Sequence, residues 1–445
     1  MRITPGYSRY NLLLMTAVVL FITGSCSVTR TVADDTKNMA YLYNPVSNPF
    51  NARFRVFNDT GNQSVLSVKL FTDELFFTEA NPTGEPLASM TVTVRLFNDS
   101  QGGVLADTAF VDNQFNKKIV QPEIIIDIPL RTFNGFEYTA EIRIIDNFTR
   151  RIVQSFVKFN RLSEYTAYNF KVINPATGTE VFSPVVTGSD FVSLRYPSRQ
   201  VDTIFVLSYS YFDFIPHAPS MMLPDRTPGR EPDQIVTVAL NDTLPFMFPS
   251  RGIYLCSIDS NVYEGYTFFN FGEEYPGLSR AENMIEPLAY LATADEMKAL
   301  RSAEKPKMAI DEFWLGRSSN IERSRELLRI YYNRVIFANH YFTSYKEGWR
   351  TDRGMIYIMY GPPDKVYKGP ASEEWGYSKP VIRSTWGTRY KLKEDMLWFT
   401  FRHNPGRFTA NDYYLVRTDA PTYWDQAVSN WRKGIVFRLD NPEDF

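Results

Sequence analysis

The stretch Gly348-Trp349-Arg350-Thr351-Asp352-Arg353-Gly354, which runs through Met355 to Tyr360 into Gly361-Pro362-Pro363-Asp364, constrains this chain more tightly than any other segment. Before it, Ile321, Leu328, Tyr331, Val335, Ala338 and Phe342 recur at helical spacing, so a long amphipathic helix is predicted over 320–345. Ser319 with Glu322 three residues on fits a capping box at its start, each side chain accepting from an otherwise unpaired N–H of the first turn. Gly348 is expected to end that helix in the left-handed conformation, with Trp349 folded back on the last turn. Thr351, Asp352 and Gly354 are turn formers. The run 355–360 is apolar at nearly every position and predicts a strand covered on both faces. Gly361-Pro362-Pro363-Asp364 stops that strand, and Lys365-Val366-Tyr367 follows as a return strand. A helix, corner, strand and turn result. Such residues at such offsets satisfy a tight corner without any chemistry; the alternative is a recognition surface lined by Arg350, Asp352 and Arg353.

The motif resembles the signature of the GWxTD-domain family, with Gly348, Trp349, Thr351, Asp352, Arg353, Gly354, Tyr360, Gly361, Pro362 and Asp364 as the matching positions. The likeness extends upstream through Leu288-Ala289-Tyr290-Leu291-Ala292, Glu296, Leu300, Phe313-Trp314, Arg317, Arg334-Val335, Ala338-Asn339 and Phe342, and covers roughly 285–445. That family occurs mainly in Bacteroidota and related bacteria, often in lipoproteins. The resemblance implies an architecture and an address rather than an activity.

The N-terminus supports that address. Arg2 and Arg9 precede an apolar run over 12–22 and then Thr23-Gly24-Ser25-Cys26, the layout of a secretory signal and too short for a spanning helix. A Cys directly after small residues resembles a bacterial lipobox, which implies cleavage before Cys26 and its acylation; two or more acyl chains anchor a protein durably. Cleavage leaves 445 − 25 = 420 residues, enough for two to four domains at about 100–200 residues each. Cys256 then has no partner for a disulfide, and its strand-like surroundings make it a buried small hydrophobe. The net charge of −2 becomes −4 without Arg2 and Arg9, which leaves no basic field for nucleic acid. Ser27-Val28-Thr29-Arg30 stands before Asp34-Asp35, a poor match to the acidic export signal of surface lipoproteins. The periplasmic face of the outer membrane is favoured over the cell surface.

Residues 26–50 lack periodicity and are expected to form a lipidated tether. From there short alternating segments follow, Thr91-Val92-Thr93-Val94-Arg95-Leu96 and Tyr138-Thr139-Ala140-Glu141-Ile142-Arg143-Ile144 most clearly, each a strand with one buried face. Two immunoglobulin-like β-sandwiches are expected, over 51–162 and 163–278. They precede an α+β domain over 279–445, with residues 1–25 as the lipoprotein signal peptide. The second β region is interrupted over 213–233 by Pro216, Pro219, Pro224, Pro228 and Pro232 around Met221-Met222-Leu223. That density of proline excludes regular structure, and a long loop carrying apolar residues is a candidate docking loop for a partner.

No chemistry is legible. His217, His340 and His403 stand apart without metal-ligand spacing, and no nucleophile elbow, phosphate loop or dinucleotide fingerprint occurs. Ser302-Ala303-Glu304-Lys305 has the spacing of an acyltransferase serine motif without its companions, and Glu373-Glu374 would point to opposite faces of a strand. No catalytic, cofactor or metal site is expected. Six of the seven tryptophans lie after residue 348 and the β regions contain none, which disfavours a glycan platform. Asp107-Thr108-Ala109, Asp202-Thr203-Ile204 and Asp242-Thr243-Leu244 resemble the O-glycosylation sequon of Bacteroidota envelope proteins, with Thr108, Thr203 and Thr243 as acceptors. The reading that results is a non-catalytic outer-membrane lipoprotein, a scaffold or accessory subunit of an envelope assembly, secretion or transport complex. A glycan-binding lipoprotein and an uncharacterised hydrolase are the alternatives.

Overall fold

Period-two alternation builds the first part of the molecule. The computed structural model describes residues 38–45, 48, 50–79, 84–198, 200–211, 214–219, 231–240, 245–318, 320–369, 371–378, 396–417 and 421–436. Strands β1 (Arg53–Asn58), β2 (Gln63–Phe71), β3 (Leu87–Asn98), β4 (Val104–Asn116), β5 (Glu123–Arg131), β6 (Glu137–Asp146) and β7 (Ile152–Asn160) form two antiparallel sheets, β1-β2-β5 and β4-β3-β6-β7. Leu66, Val68 and Ile128 of the first sheet share one core with Val92, Val94, Ile142 and Ile144 of the second. Each such side chain contributes about 1.5–3 kcal/mol relative to exposure.

The second β region buries both faces of one sheet. A short pair, β8 (Lys171–Ile173) and β9 (Ser193–Arg195), stands beside a sheet of order β11-β10-β12-β13, formed by β10 (Thr203–Ser210), β11 (Gln234–Ala239), β12 (Gly252–Ser257) and β13 (Tyr266–Asn270). Ile204, Val206, Cys256 and Phe268 pack against Phe170, Val172 and Leu194. Leu207, Tyr209, Ile253, Leu255 and Phe269 point the other way and meet Tyr345 and Phe408 of the C-terminal region. Cys256 is fully buried, and burial pushes its thiol up, as befits an inert small hydrophobe.

All six α-helices among the described residues follow residue 280. They are α1 (Ala281–Ile285), α2 (Ala294–Arg301), α3 (Pro306–Leu315), α4 (Ile321–Phe342), α5 (Asp352–Tyr360) and α6 (Pro421–Arg432). A sheet of order β14-β15-β16-β17 completes the region, from β14 (Lys365–Lys368), β15 (Ser372–Ser378), β16 (Met396–His403) and β17 (Tyr413–Leu415). Pro287 sits in a 3-10 turn, Glu286–Tyr290, between α1 and α2, and the start of α2 carries a true capping box of Thr293 and Glu296. On α4 the cap is Asn320, accepting from the Arg323 N–H at 2.8 Å; Ser319, expected there, lies outside the described residues.

Three expectations are corrected. First, the run 355–360 is the body of helix α5, not a strand, and all nine residues of α5 are buried. A helix apolar on every side is what a core helix looks like, and a short apolar run does not distinguish it from a buried strand. Second, α4 ends at Phe342, and Gly348 belongs to a separate 3-10 turn, Gly348–Arg350.

Third, the end of the expected tether is built into the C-terminal core. Asn38 mimics a strand on β14, its Oδ1 accepting from the Val366 N–H (3.0 Å) and its Nδ2 donating to the Asp364 carbonyl (2.9 Å), while the Met39 N–H donates to the Val366 carbonyl (2.8 Å). Met39 and Tyr43 are 4% and 5% exposed inside the core of the helical region. The Tyr43 ring meets Phe342 and Trp375 at 5.1 and 5.3 Å, and its carbonyl accepts from the Tyr357 hydroxyl at 2.9 Å. Burial of these rings is what a solvated linker lacks.

Candidate functional site at the Gly348–Gly354 corner

The signature joins several segments of the chain, and its glycines exist for space. A Cβ on Gly348 would lie 2.0 Å from the Ala338 carbonyl of α4, and one on Gly354 would lie 1.9 Å from the Gly348 carbonyl. Close backbone approach, rather than left-handed φ, therefore requires glycine at both. Only Gly361 of the three has positive φ, +82°, and a Cβ there would also meet the Arg334 guanidinium at 2.7 Å.

The threonine is a helix cap. Thr351 Oγ1 accepts from the Gly354 N–H at 2.9 Å and donates to the Gly348 carbonyl at 2.7 Å, so one hydroxyl closes the turn and starts α5. Asp352 follows in the first turn, where the helix dipole favours a carboxylate. Its Oδ2 accepts from the Leu415 N–H (2.8 Å) and its Oδ1 from Arg417 Nη2 (2.8 Å), tying α5 to the end of β17. Trp349 is 4% exposed; its N–H donates to Asn339 Oδ1 (3.0 Å) and its carbonyl accepts from the Tyr290 hydroxyl (2.7 Å). The Trp349 ring sits edge-on to Tyr290, with the Arg350 guanidinium 4.3 Å from its centroid.

Two buried ion-pair clusters flank the cap. Glu347 pairs with Arg350 (2.8 Å) and Arg251 (3.1 Å) and accepts from the Tyr211 hydroxyl, so one carboxylate gathers the signature and the two strand ends of the second β region. On the other side Arg353, 2% exposed, pairs with Glu373 (3.3 Å), donates to the Asn411 carbonyl (3.1 Å) and lies 3.9 Å from the Tyr413 ring centroid. Burial opposes ionisation of Glu373, yet Lys368, Arg353 and the hydrogen bonds of Tyr43 and Trp375 hold its carboxyl below the usual range. Its neighbour Glu374 is exposed, as the alternation of β15 requires.

Several of these groups were not expected at the site. Glu347 and Arg417 carry no local signal, and Asn339 and Arg334 entered only as part of the family likeness. Arg334 does carry a local signal: it sits three residues after Tyr331 on the apolar stripe of α4, where a charge implies a buried partner. It is fully buried and donates to the Ile358 carbonyl at 3.2 Å, at the C-terminal end of α5 where the dipole favours a cation.

The remaining expected sites do not gather here. Thr108 is exposed on β4, and Thr203 on β10 is half-buried, its hydroxyl donating to Asp202 Oδ1 at 3.0 Å. Cys26, Thr243 and Met221-Met222-Leu223 lie outside the described residues. His217, His340 and His403 sit on a loop, on α4 and at the end of β16. Among the described residues no group of three or more His, Cys, Asp or Glu is placed to hold a metal ion, and no helix is long and apolar enough to cross a membrane.

Comparison with known proteins agrees with this geometry at one point. No curated protein matches the chain. Among solved structures, the crystal structure of Bacteroides uniformis beta-glucuronidase aligns at 13% identity over 28% of this chain and 14% of that one. Its TM-score is 0.17, too low to carry an argument. A family model for the GWxTD domain matches residues 252–433, from β12 through α6, and so includes β12 and β13, two of the three strands whose outer face packs on Tyr345 and Phe408. The chain is a GWxTD-domain-containing protein.

Proposed function

We propose that this protein is a non-catalytic outer-membrane lipoprotein of the Bacteroidota type, acting as a scaffold or accessory subunit of an envelope assembly, secretion or transport complex. Acylation of Cys26 anchors it, with the periplasmic face as its side of the membrane. Two immunoglobulin-like sandwiches and the GWxTD domain form the body, and the proline-rich loop around Met221-Met222-Leu223 docks on the partner. The observation that carries this reading is how the signature spends its charges. Glu347, Asp352 and Arg353 each pair with a group from another segment of the chain, and Arg350 pairs with Glu347, an arrangement suited to fixing domains in place. Paired and hydrogen-bonded groups of this kind hold a geometry more readily than they turn over a substrate.

Affinity purification from detergent-solubilised membranes, followed by mass spectrometry, tests the role: a defined set of envelope proteins should co-purify, and the set should shrink when 218–228 is deleted. Recovery of the chain alone sinks the scaffold reading. Cys26→Ser should move the protein to the soluble envelope fraction. Membrane partition of that variant, with no fatty acid taken up by the wild type, removes the lipoprotein reading. Saturable signal on a glycan array, lost on changing exposed tyrosines of the β regions, would favour the carbohydrate alternative.

A further inference from the structure

The start of the proline-rich segment lies along the signature corner, held at three successive points. The Tyr211 hydroxyl donates to the Glu347 carboxylate. Phe214 then presents its ring to Lys346, 4.4 Å from the ammonium, a lysine only 7% exposed and also 5.1 Å from the Tyr345 ring centroid. Desolvation lowers the Lys346 pKa, against the fields of Asp412 and Asp352. Finally Arg417 Nη1 donates to the carbonyls of His217 and Ala218, 2.8 Å each, while Nη2 is fixed by Asp352 at 2.8 Å. One guanidinium thus joins the signature aspartate to two consecutive backbone carbonyls.

The sequence of the held segment is Phe214-Ile215-Pro216-His217-Ala218-Pro219. Pro216 and Pro219 are buried, His217 between them is exposed, and Ile215 and Ala218 pack against the core of the helical region. A spacing of three places two residues on one face of a polyproline II helix, whose carbonyls have no internal partners and stay open to a donor. Here both prolines are buried and two carbonyls accept from one arginine, features that a docked proline-rich peptide also shows. Arg417 reads backbone and the buried face reads proline, so most of the recognition is indifferent to the other side chains.

We propose that the corner is a receptor for an extended peptide with two prolines three residues apart, filled here in cis by Phe214–Pro219, and that a partner protein's segment of the same kind exchanges into it. The proposal rests on the reading of this protein as a binder of other proteins and names the chemistry of the partner. In this role Asp352 is a positioning residue that acts through Arg417. A tethered segment enjoys a high effective concentration, so each contact can be modest and still be displaced by a partner that brings further contacts of its own.

The test uses the full purified chain with Phe214→Ala, Pro216→Ser and Pro219→Ser, and a fluorescent synthetic peptide of the sequence of residues 211–220. Fluorescence anisotropy should show saturable binding to the variant with Kd below about 1 mM, and binding roughly tenfold or more weaker to the unchanged chain, whose corner is occupied. A peptide with both prolines replaced by serine should lose roughly tenfold in affinity for the variant, and Arg417→Gln added to the variant should remove binding. If the triple change impairs folding, Pro219→Ser alone should give the same ordering with a smaller gain. Equal binding to variant and unchanged chain, equal binding of the proline-free peptide, or no saturation by about 1 mM overturns the proposal. Purified protein and peptide suffice, so a blank membrane purification leaves this result standing, and the reverse holds too.

Discussion

The first β unit and the signature corner bury side chains equally well and by opposite means. In β3 and β6 the residues that face the shared core are apolar, Val92, Val94, Ile142 and Ile144 among them, each interchangeable with another apolar residue of similar volume. In the corner they are Glu347, Arg350, Arg353 and Arg334, each with stated partners. An apolar core loses stability in proportion to what is removed. A buried charge whose partner is removed costs about 3–5 kcal/mol, because it stays behind without compensation. The first region therefore tolerates drift, and the second specifies its residues singly.

The largest effect is expected at the glycines. Gly348→Ala or Gly354→Ala forces a Cβ to within 2.0 or 1.9 Å of a backbone carbonyl, and each should cost more than about 4 kcal/mol in chemical denaturation, an exceptional value for one methyl group. Gly102→Ala in the β3–β4 turn has φ +73° but open space around it, and should cost about 1–2 kcal/mol. Similar losses at both sites would erase the distinction between space and torsion. Next is Trp349→Ala, expected to lose about 3–5 kcal/mol, against about 0.5–1.5 for Ile142→Val in the β core.

Asp352→Asn is smaller and more telling. It keeps an acceptor for the Leu415 N–H but leaves Arg417 without its anion, so a loss of about 1–3 kcal/mol is expected. Melting unchanged to within about 0.5 kcal/mol would show that the corner does not depend on its charge pairs. The smallest effect is a pH dependence. Hydrogen bonds from Arg432 and Arg317, with the Thr293 N–H, hold Glu296 down to about 2. A carboxyl depressed in the folded state lends stability that is present above its unfolded pKa and fades as pH falls through the folded value. Wild-type stability should thus decline between about pH 4.5 and 2 more steeply than that of Glu296→Gln, since the unfolded chain takes up that proton first. Parallel curves would remove Glu296 from the account.

Strand content was legible because alternation is local: the expected segments over 91–96 and 138–144 fall inside β3 and β6. The corner was legible as a corner and misread in its parts. Met355 to Tyr360 carries no period to separate helix from strand, and the deciding signal was the Thr351-Asp352 pair, a cap with an acid in the first turn. Gly348 looked like a helix terminator because the obstacle it avoids, the Ala338 carbonyl, is ten residues away and on another element. Asn38 gave no sign at all, since its partners lie more than 300 residues downstream.

That last distance sets an order of events. The hydrogen bond from the Val366 N–H to Asn38 spans 328 residues, so the first described residues must wait for β14, far along the chain, before they can be seated. Long-range closure of this kind slows folding and lengthens exposure of unfinished surface. Until it occurs, Met39 and Tyr43 are missing from the core they complete. A fragment cut to the matched bounds 252–433 lacks them permanently. The limits by which the domain is recognised and the limits within which it folds are different, and a soluble fragment should be built with residues 38–50 rejoined to it through a flexible linker.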